Sequence, residues 1–144
     1  MLGSCFGHQM LARTLAGRGC VARAIRPELG WTPIQWQGSD YLFEGLPNPS
    51  WMFTSHFDEV RELPAPWQVL AQSAGCAVAA MRYADRPIWG IQPHPEITAT
   101  EARVLLDGLL ARAPEQAALL QPARSQQPRD DGVIGEIVRR FLAA

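Results

Sequence analysis

Apolar residues recur at helical spacing just after the fifth position: Phe6, Met10, Leu11 and Leu15, with Gly17 and Gly19 closing the segment. The pattern predicts a helix over 6–17, with the tail of a strand at 1–4 and residue 5 at the turn between them. LGWTPIQWQ (29–37) alternates Ile34 and Trp36 with glutamines and reads as a strand despite Pro33. Gly38, Gly45, Pro47 and Pro49 then punctuate a loop region. WMFT (51–54) is a short apolar strand running into Ser55-His56-Phe57-Asp58-Glu59-Val60. VLAQS (69–73) and CAVAAMRY (76–83) read as strands across a tight connection at Gly75, and PIWGIQ (87–92) as a further strand after a turn at Ala84-Asp85-Arg86.

Thr98 followed by Glu101 has capping-box spacing and opens a helix through Arg112, which Pro114 interrupts. QPARSQQPRDD (121–131) is polar and proline-containing, and reads as a mobile connection. Ile134, Ile137, Val138, Phe141 and Leu142 share one face of a short amphipathic helix at the end of the chain. Three segments result: a domain over 1–112, a linker over 113–131 and a C-terminal helix within 132–144. Strands and helices alternate at first and strands cluster later, which predicts an α/β domain with a mixed sheet.

Composition narrows the classes. A chain of 144 residues, 47% hydrophobic and 19% charged, can bury a core. Its net charge of −1 provides no field for nucleic acid or an anionic membrane. No apolar run is long enough to span a bilayer, and the first residues lack the pattern of a signal peptide. Cys5, Cys20 and Cys76 are too widely spaced for a disulfide framework or a metal pair, so a reduced cytoplasmic setting is expected. The five tryptophans read as core and sheet-face residues.

The candidate chemistry begins at Gly3-Ser4-Cys5-Phe6-Gly7, a G-x-nucleophile-x-G elbow. On such a strand-to-helix turn the nucleophile is exposed, and side chains at either flanking glycine are expected to clash with backbone. The helix N-terminus favours a thiolate, and the N–H of Phe6 is positioned for a developing oxyanion. Against this stands a small buried cysteine beside turn glycines. A base is required, and there are three histidines. His8 follows Cys5 by three residues, so its ring is expected to point away from the sulfur. His56 follows a strand and is a candidate. His94 lies in Gln92-Pro93-His94-Pro95-Glu96, where flanking prolines favour extended backbone and Glu96 is available to orient the ring. By itself that run also fits a proline-rich surface loop.

Together these motifs resemble the class I glutamine amidotransferases, the triad-type family. Its G-x-C-x-G-x-Q is matched by Gly3, Cys5, Gly7 and Gln9, and its H-P-E by His94, Pro95 and Glu96 after Gly90-Ile91-Gln92. The likeness covers residues 1–112. Pro93 departs from the phenylalanine or glycine that usually precedes the family's histidine. The resemblance implies a three-layer, flavodoxin-like fold with a mixed central sheet. It also implies Cys5 as nucleophile, His94 as base and acid, and Glu96 as orienter. Phe6 would supply a backbone oxyanion donor, and Gln9 and the Ser55-His56-Phe57 segment would hold the γ-glutamyl substrate. The reaction implied forms a γ-glutamyl thioester and releases ammonia, with no cofactor and no metal. The family carries further strands and a glycine-containing loop before the elbow, so this sequence is expected to be part of a longer chain, with N-terminal strands missing.

Three functions compete. The first is a glutaminase module serving a separate synthetase or acceptor-modifying chain. The second is a γ-glutamyl peptidase, favoured by the run His56-Phe57-Asp58-Glu59-Val60; that run reads equally as a solvated helix start capped by Ser55 and Asp58. The third is a non-catalytic remnant of the family.

Overall fold

A computed structural model describes residues 1–144. A sheet of six strands runs β1 (Leu2–Ser4), β6 (Trp89–Ile91), β5 (Ala80–Tyr83), β4 (Trp67–Gln72), β2 (Val21–Trp36) and β3 (Ser50–Val60) in spatial order. β1 is parallel to β6, with Gly3 opposite Gly90, and the other pairings are antiparallel, so the sheet is mixed as expected. α1 (Phe6–Leu15) packs on one face, where Ala12 meets Met81, Val78, Val60 and Trp67. On the other face Trp89, Ile91 and Ala80 pack with Leu42, Met52 and Leu70. This alternation of Trp89 and Ile91 against Gly90 is the two-residue period of a strand buried on both faces.

α2 (Ala99–Arg112) starts where the sequence indicates. The Thr98 side chain accepts from the Glu101 N–H, and the Glu101 carboxylate accepts from the Thr98 N–H, completing the capping box. Ala102 and Leu106 of α2 pack with Trp31 and Phe53 beneath β2 and β3.

The strands differ from expectation in three places. β2 begins at Val21, eight residues before the alternation becomes regular, because its first half contains a bulge: Arg23 pairs with Asp58, and the next pairing is Glu28 with His56. The extra residues, Pro27 among them, break the period-two pattern that marks strands in sequence. The segment from Ser55 to Val60 is continuous strand in β3, so it is neither a helix start nor a local cap. CAVA at 76–79 precedes β5 as a loop; the Ala79 N–H reaches back to the Ala71 carbonyl.

The stretch 113–131 is likewise not a loose connection. A single 3-10 turn at Pro114–Gln116 leads into α3 (Ala117–Ser125), which buries Leu120 and Ala123 against Trp31 and Phe53. The Gln126 side chain then bonds both the N–H and the carbonyl of Trp31, each at 2.7 Å. Gly30 makes this approach possible, since a Cβ there would lie 2.5 Å from Gln126 Oε1. Asp131 closes on the N–H of Trp51 at 2.7 Å. The polar residues that suggested mobility are the ones that tie the chain to the backbone of β2 and β3. α4 (Ile134–Leu142) docks through Val133 and Ile137 into the cluster around Trp89, with Phe141 edge-on to the Trp89 ring. No helix is long and apolar enough to cross a membrane.

Candidate active site

Cys5 stands between β1 and α1 with φ 46° and ψ −102°, a conformation that L-residues rarely adopt and that costs on the order of 1–3 kcal/mol. Its N–H is fixed to the Ile91 carbonyl at 2.8 Å, which anchors the turn to β6. The sharp reversal needs Gly3. A Cβ there would meet the Gly7 carbonyl carbon at 2.6 Å and Leu11 Cδ1 at 2.9 Å. Gly7 carries no such constraint, because a Cβ at that position meets nothing within 4 Å. The expectation that both flanking glycines exclude a side chain is therefore corrected: the steric requirement falls on Gly3 alone.

As the residue before the first helical position, Cys5 leaves the amides of the first turn of α1 without intrahelical acceptors. The Phe6 N–H is the first of these, beside the sulfur, while the Phe6 side chain is exposed. Sγ lies 4.0 Å from the Ser55 carbonyl and accepts from Gln92 Nε2 at 3.5 Å.

His94 follows β6 and is brought to the sulfur by its own N–H, which bonds the Phe53 carbonyl at 2.7 Å across to β3. Nδ1 meets Glu96 Oε1 at 2.7 Å. Burial alone would lower the pKa of His94; hydrogen bonds to Cys5 and Glu96, together with their charge, outweigh it and raise the value to about 9. For Glu96, partial burial works upward, but the bond to His94 prevails and holds the carboxyl below its usual range. The preceding Pro93 does no damage at this strand end: its carbonyl accepts from Ser4 Oγ at 3.2 Å, on the strand that presents Cys5. Cys5, His94 and Glu96 thus form one connected set.

The other expected site residues divide. Gln9 projects from α1 next to Cys5 and donates from Nε2 to the Asp58 carbonyl at 2.7 Å and to Gln92 Oε1 at 3.2 Å. Ser55 lies against the sulfur through its carbonyl, and Phe57 sits under the Arg23 guanidinium, 5.0 Å from the ring centroid. His56, by contrast, is turned inward at 3% exposure, with its ring between Asp58 and Glu28. His8 points away from the sulfur as expected. It is fully buried against Gly90, Nε2 meets the Val78 carbonyl at 3.0 Å, and burial pushes its pKa down to about 4. Sequence reasoning assigned no role to Gln92 or Glu28. Gln92 sits two residues before His94 in the motif; Glu28 carried no signal, since its meeting with His56 depends on the bulge in β2.

The family model described as glutamine amidotransferase class-I matches residues 1–110. A glutamine-hydrolysing GMP synthase subunit from Pyrococcus abyssi is 41% identical over 101 residues, covering 70% of this chain and 53% of the relative. The glutamine-hydrolysing GMP synthase of Thermobifida fusca is 40% identical over 114 residues, 78% of this chain and 21% of the relative. The crystal structure of a glutamine amidotransferase from Thermotoga maritima has the same fold: TM-score 0.76 at 23% identity, over 98% of this chain and 60% of that one. The chain spans about half the length of the Pyrococcus relative it matches. It belongs to the class I glutamine amidotransferase family.

Proposed function

We propose that the Cys5 site hydrolyses the side-chain amide of glutamine through a γ-glutamyl thioester, and that the ammonia serves a separate synthetase chain. The observation that carries this reading is a strained, helix-capping Cys5 with His94 held beside it by the Phe53 carbonyl and bonded to Glu96 at 2.7 Å. At neutral pH His94 holds a proton between sulfur and carboxylate.

The chemistry follows from that starting state. The sulfur attacks the amide carbon, a C–S bond forms, and the carbonyl electron pair moves onto oxygen, where the Phe6 N–H and the α1 N-terminus stabilise it. Collapse of this adduct breaks the C–N bond, and the His94 proton passes to the leaving nitrogen as ammonia departs. His94, now neutral, takes a proton from water as that water attacks the thioester. The C–S bond breaks, glutamate leaves, and the thiolate beside protonated His94 is restored. Glu96 fixes the ring through both half-reactions.

The separate partner is supported by the Pyrococcus relative, which is named as one subunit of its GMP synthase and so implies another. Incubation with a diazo-ketone analogue of glutamine tests the reading. It expects one covalent adduct, on Cys5, blocked by excess glutamine and absent in Cys5→Ser and His94→Ala. Alkylation of Cys5 by iodoacetamide without reaction with the analogue would overturn it.

A further inference from the structure

Parallel pairing of β1 with β6 sets Ser4 opposite Ile91, and the Cys5 N–H bonds the Ile91 carbonyl at 2.8 Å. The next residues along the two strands, Cys5 and Gln92, are thereby brought side by side. Gln92 is 1% exposed, and its own N–H is held by the Ala79 carbonyl at 2.8 Å. Its side chain bridges α1 and the sulfur: Oε1 accepts from Gln9 Nε2 at 3.2 Å, and Nε2 donates to Cys5 Sγ at 3.5 Å. None of the proton transfers made by His94 passes through this amide.

The two ends of an amide are alike in shape, so hydrogen bonding decides which end faces the sulfur. A backbone carbonyl only accepts. The Asp58 carbonyl, 2.7 Å from Gln9 Nε2, therefore takes one N–H of Gln9, and the same nitrogen turns its second N–H to Gln92. A reversed Gln92 would set one NH2 against another. Its oxygen thus faces Gln9, and its NH2 faces Cys5. The acceptor open to an S–H of Cys5 is the Ser55 carbonyl, farther off at 4.0 Å. A thiol is a weak acceptor and a thiolate a strong one, so an NH2 buried against this sulfur is fully satisfied only by the charged form. Burial of the amide and ionisation of the cysteine favour each other.

We propose that Gln92 is a catalytic residue: its N–H, turned toward the sulfur by Gln9 and the Asp58 carbonyl, holds Cys5 as a thiolate before substrate arrives. This rests on the reading above only in taking Cys5 as the nucleophile. His94 supplies the opposite charge, and Gln92 an uncharged donor that gives up no proton. The other charged groups on the elements around the sulfur are engaged elsewhere. Glu96 is bonded to His94, and on α1 His8 turns to the Val78 carbonyl while Arg13 lies in the last turn. On β3, His56 meets Glu28, Glu59 meets Arg61, and the Asp58 carboxylate lies 3.7 Å from Arg23.

Iodoacetamide reads this state directly, because it alkylates the thiolate and needs no substrate pocket. Its rate at Cys5, followed by mass spectrometry, is measured against pH in the wild-type chain and in Gln92→Met, which keeps the length of the side chain and removes the donor. The midpoint of the profile is expected to rise by about one pH unit in the variant, a tenfold loss of thiolate below the midpoint, as one charge-assisted hydrogen bond is removed. The same rise should appear in a His94→Ala background, since the donor acts on the sulfur and not through the imidazole. An unchanged midpoint, or a rise that vanishes without His94, would overturn the proposal. If Gln92→Met does not fold, Gln9→Met at its half-buried position frees the Gln92 amide to turn. A rise of about 0.3–0.5 pH unit (two- to threefold) is then expected, and an unmoved midpoint would again overturn the proposal. The diazo-ketone analogue gives a separate readout: its failure sinks the glutamine reading and leaves the role of Gln92 standing, and an unmoved midpoint does the reverse.

Discussion

A Cβ placed on Gly3 would lie 2.6 Å from the carbonyl carbon of Gly7, whereas one placed on Gly7 would meet open space. Two glycines that look equivalent in the elbow motif therefore do different things. Gly3→Ala forces the first turn of α1 away from β1 and is expected to destabilise by about 1–3 kcal/mol, the usual cost of overpacking. It should also disturb the Cys5 backbone and slow iodoacetamide alkylation. Gly7→Ala gains helix propensity and is expected to be neutral or to stabilise by up to about 0.5 kcal/mol. Urea unfolding of the two variants beside the wild type checks both; equal effects would contradict the steric argument.

The link between His94 and Glu96 makes stability depend on pH in a definite direction. The folded value of about 9 lies above the ordinary 6.5, so the native state holds this proton more tightly than the unfolded chain does. The resulting stability is fully present below pH 6.5 and is lost as pH rises toward 9. Urea midpoints measured from about pH 6 to about pH 9.5 should fall more steeply for the wild type than for His94→Gln. Glu96→Gln, which removes one of the partners raising the value, should give an intermediate slope.

How far the sequence discloses this molecule depends on how local each determinant is. α1 and α2 were legible because period, glycines and the Thr98 cap lie within the elements themselves. The neighbouring placement of Cys5, His94 and Glu96 was legible for the same reason: Cys5 sits in one short motif and His94 with Glu96 in another. The first half of β2 was not, because a bulge breaks its alternation, and the Glu28–His56 contact that the bulge creates joins residues 28 positions apart. Residues 121–131 misled because their polarity resembles that of a solvated linker. Gln126 and Asp131 instead spend their polar groups on the backbone of Trp31 and Trp51, which no composition rule anticipates.

Thr98 offers a check on local sequence coding that is separate from the site. Both halves of its capping box are formed, and the cap is exposed, so packing contributes little. Thr98→Ala is expected to cost about 1 kcal/mol. Thr98→Ser and Thr98→Asp, which keep the side-chain acceptor, should stay within about 0.5 kcal/mol of the wild type. Thermal unfolding followed by circular dichroism distinguishes these cases; an alanine variant as stable as the serine one would show that the cap carries no stability.

α4 tests whether the end of the chain belongs to the domain core. Ile137 is fully buried beside Val133 and Trp89, while Leu142, on the same short helix, is 78% exposed. Removing Ile137 to alanine deletes buried methyl groups and leaves a cavity under β6, so a loss of about 2–5 kcal/mol is expected. Leu142→Ala should change stability by less than about 0.5 kcal/mol. The two also separate spectroscopically. Phe141 sits edge-on to the Trp89 ring at 6.2 Å between centroids, so detachment of α4 exposes that indole and shifts tryptophan emission to the red. The shift should accompany Ile137→Ala at low urea, before the far-ultraviolet signal is lost, if α4 leaves first, and should coincide with it if α4 unfolds with the sheet. Because Trp89 opens β6, the strand that leads directly into the Gln92 that contacts Cys5, the structure predicts the second behaviour: one transition, with Cys5 becoming open to alkylation as the indole is exposed.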